Sequence, residues 1–492
     1  MAQKFSETII GRKDEKKILQ QLLESKKAEF LAIYGRRRIG KTFLIRNYFD
    51  RASCTFFRCT GIQEGSLEEQ LEQFSKQLGV TFYGGASIMP RKRWLDAFED
   101  LTKAINQNST SKKVVIFFDE FPWMATKRSG LLRALEYYWN HHWSNDLRIK
   151  VIVCGSSASW IIQKIINNKG GLYNRVTRTM KLTPFTLHET KEYLEFIGVR
   201  LNQRHILDLY MVLGGIPHYL SLVRSGLTAH QCIDELLFKR GGALVDEFDR
   251  LFASLFAESE THLTIVKTLA KHRYGIGQAQ LIRESSLASG GRTTQRLKEL
   301  EEAGFIMGFL PHGHHEKGIY FKIIDEFTLF YLNWLKPHLL SIRKQDQNSG
   351  FWLSQSKSPS WRSWAGYAFE AVCYKHLSQI RKALMIESGA EADSWRYTPR
   401  TLEEKSGAQI DLLFDRPDGA ITICEIKYSD RPFAIDKEYA NNLRRKVEVY
   451  QQHTKTQKQI FISMITSGGL KQSVYSQELI SQHADLNDLF AE

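Results

Sequence analysis

At 492 residues the chain is too long for one core, and several domains are expected. Hydrophobic content of 42% and charged content of 25% are those of ordinary soluble proteins. No apolar run approaches a bilayer span and the first residues lack a secretory apolar stretch, so no membrane partner and a cytoplasmic location are expected. The net charge of +14 points to a polyanionic partner or to a generic basic surface, and composition leaves both open. Six cysteines show no metal-ligand spacing and read as small hydrophobes.

In chain order, the first strong element is the apolar run from Phe30 to Tyr34, followed by Gly35-Arg36-Arg37-Arg38-Ile39-Gly40-Lys41-Thr42 and an amphipathic stretch. Strand, G-x-x-x-x-G-K-[ST] turn and helix together predict a phosphate-binding loop. Its glycines let backbone N–H groups wrap phosphates, Lys41 reaches the β/γ oxygens, and Thr42 ligates Mg²⁺. The side chains of Arg36, Arg37 and Arg38 are not needed for this, and three adjacent cations repel. An anionic partner or acidic neighbours are expected beside them.

The next run, Val114 to Phe118, is continuously apolar, as a buried parallel strand should be. It delivers Asp119 and Glu120 to the strand's carboxyl end, where ligands bind in open α/β sheets. Asp119 is expected to hold Mg²⁺ through water, and Glu120 to polarise the attacking water. A further apolar strand, KVIVCGSS, brings a hydroxyl to the same edge at Gly155-Ser156-Ser157.

These segments, with IIGRKDEKKIL, LYNRVTRTMKLTPF and GGIPHYL, resemble the AAA+-like ATPases, particularly the archaeal-type ATPase family related to STAND and origin-recognition proteins. The resemblance implies ATP as ligand, Gly11 and Arg12 near the adenine, and Ser156 as the sensor of the γ-phosphate. It also implies Pro217 of Gly215-Ile216-Pro217 against the base. Arg175 stands about where such proteins carry an arginine finger, often supplied between subunits of a homo-oligomer; a surface or salt-bridged arginine is the other reading.

From 251 to 343, apolar residues recur at helical spacing in three segments: Leu263, Val266 and Leu269; Ala279 and Ile282; Leu297, Leu300 and Ala303. FIMGFLP and GIYFKIID then flank HGHHEKG as a hairpin, giving a winged helix-turn-helix pattern in the order usual for that family. Arg292, Thr293, Thr294, Arg296 and Lys298 would face DNA phosphates, or the module only packs as a lid. His312, His314 and His315 lack a cysteine partner and read as a solvated loop.

The stretch 344–360 has the composition of a domain boundary. Beyond it, WRSWAGYAFEAVCYKHLSQI reads as an amphipathic helix carrying Glu370. AQIDLLFD puts Asp411, Leu413 and Asp415 on one strand face, and ITICEIKYS puts Glu425 and Lys427 on one face. Pairing 415 with 421 sets 411 opposite 425. Two carboxylates about 5 Å apart repel unless a cation bridges them, which suits Mg²⁺ with phosphate oxygens. Lys427 could then act on the phosphate or orient water. This set resembles the PD-(D/E)XK restriction-endonuclease-like fold, with Glu370, Asp411, Glu425 and Lys427 on its motif positions. Ile410 stands where the motif's name has proline.

The expected fold class is thus α/β: an AAA+-like parallel-sheet ATPase core at 1–185, a helical lid at 186–250, a winged helix-turn-helix at 251–343 and a nuclease-like domain at 355–492. The expected function is Mg²⁺-dependent ATP hydrolysis coupled to a metal-dependent nuclease-like domain acting on DNA. The alternative is an ATP-dependent switch or signalling scaffold with a silent nuclease-like domain.

Overall fold

The computed structural model describes residues 8–108, 112–168, 170–256, 258–312, 318–344, 350–397 and 407–492. The chain forms two compact units. The first comprises Met1–Pro184, Ser254–Ala257 and Lys298–Gly304; the second comprises Phe185–Ala253, Glu258–Leu297 and Phe305–Glu492.

The first unit is built on five strands: β1 (Glu29–Tyr34), β2 (Cys54–Thr60), β3 (Lys113–Asp119), β4 (Ile149–Cys154) and β5 (Arg178–Lys181). Their order is β2-β3-β4-β1-β5 and every pairing is parallel. Residues of β1, β3 and β4 are almost all buried, because helices cover both faces of a parallel sheet. The β2 edge is more open. Helices Leu67–Phe82, Trp94–Gln107 and Leu131–His141 bring Phe74, Trp94, Phe98 and Trp139 into one core with Phe30, Phe57 and Phe118. Each such burial contributes about 1.5–3 kcal/mol.

One cation sits inside this sheet. Lys150 of β4 is fully buried, and its ammonium donates to the carbonyls of Ser25 (3.1 Å) and Lys27, just past the helix Lys13–Glu24. A positive charge at a helix carboxyl end is favourable, while burial pulls its pKa down to about 8. With all strands parallel, the carboxyl ends of β1, β3 and β4 share one edge. There lie Gly35, Asp119 and Ser156.

The second unit opens with helices Leu187–Phe196 and Gln203–Leu213. It continues through helices Ser259–Leu269, Gln278–Glu284 and Gly291–Glu302, the last running on into the Lys298–Gly304 segment of the first unit. Three short strands, β6 (Ile276–Gly277), β7 (Ile306–Phe309) and β8 (Tyr320–Ile323), pair antiparallel in the order β6-β8-β7. The expected hairpin is therefore present as β7 and β8, while His314 and His315 lie outside the described residues. His312 is 3.7 Å from Asp393.

The boundary expected at 344–360 carries Trp352, which is fully buried against Phe238, Phe330, Trp334 and Trp361. Its polar neighbours conceal the short helix Phe351–Gln355, whose tryptophan binds the residues on either side into one aromatic cluster. The helix Pro359–Lys375 follows, then β9 (Glu391–Tyr397), β10 (Ala408–Asp415), β11 (Ala420–Lys427), β12 (Gln459–Thr466) and β13 (Ile480–Ala484). They form a mixed sheet in the order β13-β12-β11-β10-β9. The β10–β11 pair is antiparallel with Asp415 opposite Ile421, the register expected from side-chain alternation. Against β9, the register slips between Ile410 and Leu413. Such a bulge re-aims the side chains beside it, and Asp411 is one of them.

Buried polar contacts tie this sheet to the unit's first helices. His376 accepts from the Leu187 N–H at 2.9 Å, and burial pulls its pKa to about 4, so it is neutral. Arg204 donates to the Ser429 carbonyl and lies over the Tyr428 ring. Among the described residues no helix is long and apolar enough to cross a membrane.

Candidate functional site

Two clusters of candidate functional side chains stand out, one in each unit. In the first, Gly35 has φ 140°, and a Cβ there would come 2.2 Å from the Leu182 carbonyl oxygen. Only glycine fits. Arg38 and Gly40 also take positive φ, and Gly40 is the cap of the helix Lys41–Phe49. The helix therefore begins with free backbone N–H groups facing the loop, the arrangement that binds phosphate.

Lys41 is buried, and its ammonium donates to the carbonyls of Gly35 (2.9 Å) and Arg36 (2.8 Å). Burial lowers its pKa, with Glu120 and Asp119 opposing the shift. Thr42 donates its hydroxyl to Asp119 Oδ1 at 3.1 Å. Asp119 is buried, and desolvation first, then Glu120, raises its pKa despite the Thr42 hydrogen bond. A hydroxyl beside a carboxylate is a hard-oxygen donor set, which fits Mg²⁺ in kind.

Glu120 takes a left-handed conformation (φ 46°) at the end of β3. Its Oε2 accepts from the Ser156 N–H at 3.0 Å and from the Ser156 hydroxyl at 2.9 Å. In sequence Glu120 and Ser156 lie 36 residues apart; the parallel neighbours β3 and β4 bring them together. Gly11 and Arg12 both have positive φ, and buried Arg12 donates to the Ile39 carbonyl (3.2 Å) and to Glu15 (3.1 Å). Arg12 thus braces the phosphate-binding loop from behind.

Arg175 is exposed in a turn that begins at Gly171, and among the described residues no side-chain partner holds it. Arg178, by contrast, donates to Gln21 and lies 3.5 Å from Glu29. Pro217 belongs to the second unit, where it opens the short helix Pro217–Leu220. Gly215 ahead of it packs so tightly on Phe185 that a Cβ would meet the Phe185 carbonyl oxygen at 1.9 Å.

The second cluster surrounds the end of β10 and β11. Glu425 is buried, and its carboxylate is bound by Lys446 (2.6 Å), Lys427 (2.8 Å) and the Tyr439 hydroxyl (2.8 Å). Burial alone would raise its pKa, but the two lysines hold it below the usual range. Asp411 accepts from Gln409 (3.2 Å) and the Ile426 N–H (3.4 Å). Desolvation first, then Glu425, raises its pKa. Glu370 of the helix Pro359–Lys375 is bound by Arg273 at 3.2 Å. Desolvation and Asp411 push it up to about 7.

The four residues expected together thus do share one electrostatic neighbourhood: the Lys427 ammonium feels Glu425, Asp411 and Glu370. Asp411 and Glu425 offer the oxygens Mg²⁺ prefers, but lysines occupy the Glu425 oxygens. Among the described residues no three acidic, histidine or cysteine side chains form a ready metal-binding group. No local pattern in the sequence singles out Lys446, Tyr439, Arg273 or Lys322 as neighbours of these acids. Lys446 and Tyr439 lie two turns apart on the helix Lys437–Thr454, a spacing that could have flagged a polar stripe facing the sheet.

Residues 10–223 match a family described as an ATPase domain predominantly from Archaea. This supports ATP binding and hydrolysis by a P-loop domain spanning most of the first unit. An uncharacterized protein of Methanocaldococcus jannaschii is 26% identical over 442 residues, covering 89% of this chain and 91% of that protein. Among solved structures, a Walker-type ATPase of Pyrococcus abyssi is 18% identical with a TM-score of 0.45, covering 66% of this chain and 96% of that one. The ORC2 protein of Aeropyrum pernix, in its ADPNP–ADP complexes, is 16% identical with a TM-score of 0.43, covering 68% and 97%.

Proposed function

We propose that the chain is a Mg²⁺-dependent ATPase acting on DNA, with a metal-dependent nuclease-like site in its C-terminal domain. One observation carries the ATPase reading. Lys41, at the start of a helix capped by positive-φ Gly40, is buried on its own loop's carbonyls beside the Thr42–Asp119 pair. A desolvated ammonium and a helix N-terminus together attract a polyphosphate strongly.

Thr42 and Asp119 would hold Mg²⁺, which supplies charge neutralisation for the phosphates when bound. Lys41 takes up β/γ-phosphate charge, and Glu120 orients the attacking water while Ser156 fixes its carboxylate. Arg175 is free to reach a neighbouring copy in a homo-oligomer, and Pro217 would close on the base. Gly11 and Arg12 support the loop near the adenine. We read 1–185 as the ATPase core, 186–250 as its lid, 251–343 as a winged helix-turn-helix and 355–492 as the nuclease-like domain. The net charge of +14 suits a DNA partner.

In the C-terminal site, Asp411 and Glu425 would hold the divalent ion, Lys427 would act on the scissile phosphate, and Glu370 would complete the acid set. A second reading is favoured by the two lysines on Glu425. There the site is silent, and the protein is an ATP-driven switch or scaffold. An ATPase assay with and without duplex DNA, beside a Mg²⁺ and Mn²⁺ nuclease assay on the same preparation, tests both. ATP turnover with DNA cleavage lost in Asp411→Asn supports the first reading. Turnover without any cleavage supports the second, and no turnover removes both.

A further inference from the structure

The acid cluster of the C-terminal sheet is not balanced by its own domain. That domain contributes Glu370, Asp411 and Glu425 against Lys427 and Lys446. Two more cations arrive from the helix-and-hairpin module that precedes it. Arg273, in the turn before β6, donates to Glu370 at 3.2 Å. Lys322, on β8, sits 3.5 Å from the centre of the Tyr374 ring and lines one cavity with Glu370 and Asp411. The Tyr374 hydroxyl in turn donates to the Asp411 carbonyl at 2.7 Å. The space among these groups is a cavity of about 90 Å³, walled by Tyr274, Phe309 and Pro311 on one side and Tyr367, Glu370 and Asp411 on the other. That holds a few waters and excludes a polymer strand.

We propose that the segments 258–297, 305–312 and 318–323 are a built-in occupant of this acid site. Arg273 and Lys322 stand on the Glu370 and Asp411 side of the site, so the chain keeps these two carboxylates from a divalent cation and a phosphodiester. A lysine is a poor permanent partner for a carboxylate pair at this depth, because its ammonium loses hydration and gains no direct hydrogen bond from either acid. Its best compensation is the Tyr374 ring face. A polyanion offers the same cation a stronger partner than a ring face does. Duplex nucleic acid, drawing on the same cations, would withdraw the module and free Glu370 and Asp411. The inference rests on Asp411 and Glu425 forming a divalent-ion site, as proposed above.

The test is calorimetric titration of Mn²⁺ into the full chain, with Asp411→Asn as the blank that subtracts binding at Thr42–Asp119. Arg273→Gln with Lys322→Met should bind Mn²⁺ at the Asp411 site at least tenfold more tightly than wild type. Adding duplex oligonucleotide should move wild type toward the variant and leave the variant unchanged. Lys322→Met alone keeps the stem against Tyr374 and is the milder form should the double variant fold poorly. In wild type, hydrogen exchange at Tyr320–Ile323 should accelerate at saturating Mn²⁺. Wild type binding Mn²⁺ as tightly as the variants, with no change in exchange at β8, overturns the occlusion while leaving the metal site standing. No Asp411-dependent Mn²⁺ binding in any form overturns the metal site and the occlusion with it.

Discussion

Ser156 donates both its backbone N–H and its hydroxyl to a single oxygen of Glu120. The bond joins the ends of two neighbouring strands and leaves the other Glu120 oxygen available to a water. The carboxylate's aim therefore depends on the serine. Glu120→Gln should retain ATP and lower turnover about 10²- to 10⁴-fold. Ser156→Ala should lower turnover less and leave the Kd for ATP unchanged, since only the aim of Glu120 is relaxed. Single-turnover hydrolysis and equilibrium binding of labelled ATP measure the two effects; loss of binding in Glu120→Gln would make that residue structural.

Lys41→Ala removes the buried ammonium from the phosphate-binding loop and should abolish triphosphate binding and hydrolysis, because backbone amides alone leave the β/γ charge unmatched. The same substitution should not lower thermal stability much without nucleotide, since a desolvated lysine is itself costly. Isothermal titration with ATP beside a thermal melt separates the effects.

Gly35→Ala tests the loop's backbone. The new Cβ would meet the Leu182 carbonyl oxygen at 2.2 Å in a conformation that side chains rarely adopt. A cost of at least about 1–3 kcal/mol is expected from strain alone. Gly40→Ala meets nothing within 4 Å and carries only the φ penalty. Chemical denaturation should therefore rank Gly35→Ala as the more damaging change.

Arg175→Ala should reduce turnover without weakening ATP binding. Because the Arg175 side chain is exposed, mixing this variant with Lys41→Ala should restore activity if it acts on a neighbouring copy's nucleotide. Absence of recovery in an assembly shown to be oligomeric would assign Arg175 to its own subunit or to the surface.

Glu370 gives a pH-dependent signature. Its carboxyl is raised from 4.5 to about 7 in the fold, so the native state binds the extra proton. Its contribution is fully present below about pH 4.5 and is lost as pH rises through about 7. Glu370→Gln should flatten the fall in stability across that window and leave the chain relatively more stable above it. Melting curves from pH 4.5 to 8 would read this directly, and an unchanged slope would show that Arg273 and Lys322 keep Glu370 ionised throughout.

The phosphate-binding loop was legible from sequence because its determinants are local: glycines at fixed offsets, a strand before and a helix after. The β10–β11 register was legible for the same kind of reason, since strict alternation and a short turn leave one pairing that buries Leu413 with Ile423. These features follow from the sequence by itself. Other relationships needed the tertiary structure. Ser156 meets Glu120 only because the sheet places β4 beside β3, and no local pattern encodes strand order. Lys150 looks misplaced in an apolar strand until the carbonyls of Ser25 and Lys27 arrive from 125 and 123 residues away in sequence. Arg273 and Lys322 read as ordinary basic residues of a helical module, and packing alone turns them onto Glu370 and Asp411. Periodicity reports which face of an element is buried, whereas the identity of what buries it is a long-range property, decided where desolvated charges find partners far along the chain.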